Sequence, residues 1–377
     1  MVRAMIVIAD DITGAAEIAG IAFTHGADVR LVCGGPTCCR VTATNGTTVI
    51  ATDTRSMSEA EALAETRRIA SHLSPLTSHL SPLTSHLFKK TDSALRGHVV
   101  AELQALMAST GLPRCVYLPA NPSKGRIIRN GVYYIKEVRG EKQEVRKVPL
   151  AETDFSFDPE FPAKTSVLSE RFPDAEAKGI IMPDAESEED IRKVIQQYDD
   201  GKTIFAGAAD LFSEMIGIGC GRLKKSIAKH PIPIIQAPDN TLILCGSTQS
   251  KPLELGIPIS PIPRAVYDGS SNLDLWDTTA YEQQHSLILT IPHTHRTGKE
   301  VAVHLRRVMA EMAKRLVSNH RPDHLIIEGG ATAWATLQAL GWTEFQITRQ
   351  IAPGVVQMSA TNGTLVTLKP GSYPWGW

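Results

Sequence analysis

Asp10 and Asp11 close the first apolar run of the chain, and Gly14 follows them. Adjacent carboxylates repel each other and are costly unless a cation, a cationic side chain or a substrate hydroxyl sits beside them. They fall where a strand ends and a helix begins, the place where open α/β sheets bind ligands. A helix cap next to a solvated carboxylate is the plainer alternative, and the two residues alone leave both open. A second cluster, Lys89-Lys90-Thr91-Asp92-Ser93-Ala94-Leu95-Arg96-Gly97, sets cations ahead of a predicted helix N-terminus, whose free amides favour an anion. Asp92 or Ser93 is the expected N-cap, and Leu95, Val99, Leu103 and Leu106 share a helical stripe. Gly97 in that first turn costs about 1 kcal/mol against alanine, which points to a close backbone approach, with a carboxylate or phosphate as the guest. A well-capped helix with surface lysines is the alternative.

Gly329-Gly330-Ala331-Thr332 follows an apolar strand and opens a helix, so its amides and the Thr332 hydroxyl have the layout of a phosphate-cradling turn. Ser247, after Gly246, offers a shorter version of the same turn, and Lys369-Pro370-Gly371 reads equally well as a terminal turn. No G-x-x-x-x-G-K-[ST] loop, G-x-G-x-x-G fingerprint, G-x-S-x-G elbow or H-E-x-x-H pair occurs, which removes the main support for Walker-type, dinucleotide, serine-hydrolase and zinc-peptidase readings. His293-x-His295 lacks a third ligand and reads as a solvated loop.

The elements that position these groups alternate between strand and helix. Strands are predicted at residues 3–9, 28–33, 48–51, 87–89, 179–182, 241–245, 287–291, 324–327 and 364–368. The main helices are predicted at 13–25, 58–71, from the Asp92 turn to 109, from 188, at 298–319 and at 331–340. Such alternation builds parallel sheets. A chain of 377 residues exceeds one ordinary core, and the proline-rich stretch 231–240 makes the natural linker, so two α/β domains are expected at 1–232 and 239–377, with the active site in the cleft between them. Residues 71–87 repeat a Ser-His-Leu-Ser-Pro-Leu-Thr heptad, whose prolines predict an exposed loop. Basic and acidic residues nearly cancel, 39 against 40, so no overall field draws in nucleic acid or a membrane surface. The start lacks a signal-peptide pattern and no apolar run approaches the roughly 20 residues of a membrane span, so a cytoplasmic protein is expected. The six cysteines, at 33, 38, 39, 115, 220 and 245, form no C-x-x-C pair and read as reduced thiols rather than zinc ligands.

Taken in order, Ala9 to Ala15, Asp53-Thr54-Arg55, Lys89 to Gly97, Pro119 with Gly125-Arg126, Asp158-Pro159, Gly246-Ser247, Gly329 to Thr332 and Lys369 to Gly371 resemble the four-carbon acid sugar kinase family. The resemblance implies an N-terminal domain for an aldonate such as threonate, erythronate or a 3-oxo derivative, and a C-terminal domain for ATP, with phosphate passing to the C4 hydroxyl. It makes Asp10, Asp11, Arg55, Lys90, Asp92, Ser93 and Arg96 the substrate-side candidates. On the nucleotide side it points to Ser247, Gly329, Gly330, Ala331, Thr332 and Gly371. Phosphoryl transfer mostly needs positioning and charge neutralisation. Mg2+ bridging the ATP phosphates is therefore expected, with its protein ligands unassigned, Arg55 or Arg96 holding the sugar carboxylate, and Asp11 or, second, Asp92 orienting the attacking hydroxyl. Ala94 and Ala331 stand where the family pattern carries a threonine and an acid. Another ATP-using α/β enzyme and a non-catalytic sugar-acid sensor are the alternatives; the partners are small molecules, and a homodimer is compatible with the sequence.

Overall fold

The computed structural model describes residues 5–34, 46–79, 87–139, 144–158, 160–219, 240–247, 255–291 and 298–371. The linker prolines, His293 and His295, Cys38, Cys39 and Cys220 lie outside these residues. The chain divides into two compact units, the first comprising residues 1–29 and 36–225 and the second residues 30–35 and 226–377.

The first unit carries β1 (Met5–Ala9), α1 (Ile12–Thr24), the start of β2 (Val29–Cys33), β3 (Thr47–Ala51), α2 (Glu59–His79), β4 (Leu87–Lys90), α3 (Val99–Thr110) and β5 (Arg114–Leu118). It continues with β6 (Arg126–Arg129), β7 (Val132–Arg139), β8 (Glu144–Pro149), α4 (Leu168–Arg171), β9 (Ile180–Ile181), α5 (Glu188–Tyr198), β10 (Thr203–Gly207) and α6 (Ala209–Gly219). Its main sheet runs β3-β1-β4-β10-β5-β9, parallel throughout. β3 and β10 are buried along their whole length, as parallel strands covered on both faces must be. The antiparallel ribbon β6-β7-β8 stands apart from this sheet, and Asn130 and Gly131, both at positive φ (50° and 71°), make the tight turn between its first two strands.

Two expectations change here. α2 runs on through Pro75 to His79, where the heptad repeat predicted a loop after Ser71; residues 80–86 are outside the described part. Ala62, Thr66, Ile69, Ala70 and Leu73 are all buried, and the packing of this stripe against α3 outweighs the helix-breaking tendency of the proline. Residues 92–97 are not helical: α3 begins at Val99, behind His98, and Leu95 (φ 64°) and Gly97 (φ 98°) both have left-handed backbone. Leu95 is buried in that loop and not on a helical stripe.

The second unit carries most of β2 together with β11 (Thr241–Cys245), β12 (Ile259–Pro261), α7 (Arg264–Tyr267), α8 (Thr279–Gln284), β13 (Ser286–Thr290), α9 (Lys299–His320), β14 (His324–Glu328), α10 (Gly330–Leu340), β15 (Glu344–Ala352), β16 (Val355–Ala360) and β17 (Leu365–Lys369). Its strands β12-β13-β11-β14-β17 are parallel, and β16, β15 and β2 extend them as antiparallel neighbours. Among the described residues Cys33, Cys115 and Cys245 are free thiols and buried, and no helix is long and apolar enough to cross a membrane.

Candidate active site

In the first unit, Asp10 and Asp11 follow β1, Arg55 follows β3, and Asp92 to Arg96 follow β4. β1 lies between β3 and β4, so the chain leaves its central strand to both sides and opens a crevice at the carboxyl ends of three adjacent strands. Arg55 joins the groups that converge there. Its Nε and Nη2 donate to Asp10 at 3.1 and 2.8 Å, Nη2 also donates to Asp11 Oδ1 at 3.0 Å, and Nη1 lies 3.6 Å from Asp92 Oδ1. The turn carrying it is fastened below: Asp53 sits at φ 55°, Arg55 N donates to Asp10 O at 3.2 Å, and the Thr54 hydroxyl donates to Glu102 at 2.9 Å. Arg96 makes a second fork, with Nε and Nη2 on the two oxygens of Asp92 at 3.0 and 2.9 Å and Nη1 3.4 Å from Asp158.

These pairs set the charge states. Burial pushes the Asp10 carboxyl up, against the pull of Arg55. Burial acts the same way on Asp11, but Arg55 and Lys90, with the Thr13 hydroxyl and the Gly14 amide, hold it below the usual carboxylate range. Asp92, likewise opposed by burial, is held far below that range by Arg55 and Arg96. Both oxygens of Asp10 and of Asp92 are engaged by guanidinium forks, and their side chains are 3% and 9% exposed. Asp11 caps α1 through the Gly14 amide at 2.9 Å and is 17% exposed, and among the described residues its Oδ2 meets only the Thr13 hydroxyl.

Lys90 donates to Thr91 O at 2.9 Å and lies 3.6 Å from Glu17, which also pairs with Lys124. Lys89, expected beside it as part of an anion site, is withdrawn into the core on Glu102 at 2.5 Å, because alternate residues of a strand face opposite ways. Ser93 receives Arg126 Nη1 on its hydroxyl and the Tyr133 hydroxyl on its carbonyl. Phe155 lies 5.9 Å from the Arg96 guanidinium and 5.5 Å from that of Arg126. Glu17, Lys124, Tyr133 and Phe155 had no signal in the sequence, since they arrive from separate elements; Arg126 and Asp158 sat in quoted motifs without a role.

In the second unit, Gly246-Ser247, Gly329 to Thr332 and Pro370-Gly371 follow the adjacent strands β11, β14 and β17. The three turns interlock. A Cβ on Gly246 would fall 1.9 Å from Thr332 Oγ1, and one on Gly371 would fall 2.6 Å from Ser247 Oγ. Gly329 stands at φ 94° as the N-cap of α10 with no side-chain cap, so the first-turn amides of that helix are open to an anion. Ala331 is exposed and Thr332 buried. Beneath the turns, Lys369 pairs with Glu328 at 2.5 Å, both wholly buried, and also donates to Pro370 O at 3.1 Å. This setting fits nucleotide phosphates. Among the described residues no group of three or more His, Cys, Asp or Glu is placed to hold a metal.

Residues 5–174 match the model of a sugar-binding N-terminal domain and residues 274–373 that of a nucleotide-binding C-terminal domain. The chain belongs to the four-carbon acid sugar kinase family. It is 24% identical over 406 residues to a 3-oxo-tetronate kinase of Haemophilus influenzae, covering 97% of this chain and 96% of that one. Against a D-threonate kinase of Bordetella bronchiseptica it is 23% identical, over 73% of this chain and 71% of the other. The fold is shared with a solved Haemophilus influenzae protein (TM-score 0.68, 21% identity, 97% and 96% coverage) and with one from Salmonella typhimurium (TM-score 0.71, 19% identity, 98% and 96%).

Proposed function

We propose that this member of the four-carbon acid sugar kinase family transfers the γ-phosphate of ATP to the C4 hydroxyl of a four-carbon acid sugar, threonate, erythronate or a 3-oxotetronate. The first unit holds the acid and the second the nucleotide. The observation that carries the reading is the charge-compensated cluster of Asp10, Asp11, Arg55, Asp92 and Arg96 at the carboxyl ends of three adjacent strands, within the segment that matches a sugar-binding domain. When bound, ATP supplies the phosphoryl group and Mg2+ spreads its charge. Asp11 accepts the hydrogen bond of the attacking hydroxyl, because Asp10 and Asp92 have both oxygens taken by forks. Ser247, Gly329 to Thr332 and Gly371 surround the phosphates with amides and hydroxyls. Mg2+ would be held chiefly by the ATP phosphates and would offset their charge.

The test is coupled ADP release over D- and L-threonate, D- and L-erythronate and their 3-oxo derivatives. Release that depends on one of these acids is expected; ADP release with none of them, while another hydroxy acid supports it, would replace the substrate class. The nucleotide assignment has its own test. Gly246→Ala forces a methyl group into Thr332 and should weaken ATP by about 10- to 100-fold, as loss of one charge-assisted hydrogen bond does, while aldonate affinity stays put. Calorimetry with each ligand reads both, and unchanged ATP affinity would move the nucleotide site elsewhere.

A further inference from the structure

Four guanidinium groups, of Arg55, Arg96, Arg126 and Arg171, stand around the first unit's site, and they are not equivalent; that of Arg171 is spent on the backbone carbonyls of Pro162 and Leu95. The forks of Arg55 and Arg96 are filled by Asp10 and Asp92. A substrate carboxylate taken on the Nε–Nη2 edge of either would have to displace an aspartate whose side chain is 3% or 9% exposed; the remaining Nη1 faces Asp92 at 3.6 Å in Arg55 and Asp158 at 3.4 Å in Arg96. Arg126, the first residue of β6, is different: among the described residues no carboxylate lies within ion-pair distance of it. Its contacts are the Ser93 hydroxyl and the Phe155 ring at 5.5 Å. It is half-buried, and the Tyr133 hydroxyl fixes the Ser93 backbone beside it.

We infer that Arg126, with the Ser93 hydroxyl next to it, is the seat of the substrate's carboxylate, while Arg55 and Arg96 hold the protein's own aspartates in place. A planar guanidinium offers a carboxylate two parallel N–H donors, and the aromatic ring packed against it limits the orientations of that plane. The carboxylate lies at the end of the substrate away from the C4 hydroxyl, so this contact is the same before and during transfer and sets affinity rather than rate. The identity of the ligand as an acid sugar rests on the proposed function.

Calorimetry and steady-state kinetics on the full chain decide it, with D-threonate and D-erythronate as probes and the polyols threitol and erythritol as neutral counterparts. The chain as it stands should bind the better acid well above its polyol. Arg126→Met should weaken that acid by about 10- to 100-fold, leave the weak polyol binding where it was, and raise KM with kcat within about threefold. Arg126→Lys, with charge but no fork, should fall between. Unchanged ATP affinity and melting temperature establish that the variants are folded. Arg126→Met binding the acid as tightly as the parent, or losing acid and polyol alike, overturns the inference. Failure of the function proposal looks different: acid binding that responds to Arg126 without aldonate-dependent ADP release leaves the seat standing and removes the kinase, whereas no acid binding by the parent chain removes both.

Discussion

Turnover of an Asp11→Asn variant falls by about 10² to 10⁴ at saturating substrates, with ATP affinity unchanged. Asparagine keeps the size of the side chain and its ability to accept the Gly14 amide, so α1 retains its cap and the fold is unaltered. What is lost is the negative charge of a carboxylate whose Oδ1 is held by Arg55 and Gly14 and whose Oδ2 is the oxygen proposed to receive the attacking hydroxyl. Because Arg55 and Lys90 keep Asp11 below the ordinary carboxylate range despite its burial, the parent is already ionised at neutral pH, and its turnover should not rise as the pH is raised through that range. Calorimetry and stopped-time ADP release give the two readouts. A variant working at the parental rate would pass the role to Asp92, whose own substitution should then carry the loss.

The strands that deliver these groups were legible because each is a short apolar run that stops abruptly at chemistry: Met5 to Ala9 before Asp10, Thr241 to Cys245 before Gly246, His324 to Glu328 before Gly329. Helix α10 was legible to its closing glycine, Gly341 at φ 68°. The loop after β4 was not. Its shape comes from a side-chain fork within the loop, Arg96 folded back on Asp92, and from a distant partner, Arg171 donating to Leu95 O at 3.0 Å, and no propensity places a buried leucine at φ 64°. Two hairpins went unread although their signals are local. Asn130-Gly131 is the strongest short turn pair known for such a link, and the alternation of Phe345 and Ile347, then Val356 and Met358, about the Pro353-Gly354 turn marks β15 and β16. The recruitment of β2 to β15 is of another kind: Val29 to Cys33 reads like its neighbours, and only pairing across more than 300 residues assigns it to the second unit. Arg126 belongs with the unread loop, since its lack of a counterion among the described residues is visible only once the carboxylates around it have been matched to other cations.

Lys369→Met should destabilise the second unit by about 3–5 kcal/mol, the scale for removing one partner of a buried ion pair. Glu328 and Lys369 are register partners on β14 and β17, both wholly buried, and the ammonium also holds Pro370 O at 3.1 Å, at the root of the Gly371 turn. Without the ammonium, a carboxylate sits in the sheet without this cation, and the turn loses the donor that fixes it. All five tryptophans lie at or beyond position 276, so urea unfolding followed by tryptophan fluorescence reports on this unit. Pairing the change with Glu328→Leu separates the two roles. An apolar pair of similar volume should recover most of the stability, because the original ions spend their attraction on desolvation. ATP affinity should fall in Lys369→Met and stay low in the double variant, because Pro370 O is unheld in both. Lys369→Met costing under about 1 kcal/mol would mean that Glu328 is relieved by protonation or by another neighbour. Full recovery of ATP affinity in the double variant would mean that the pair supports the sheet and not the turn.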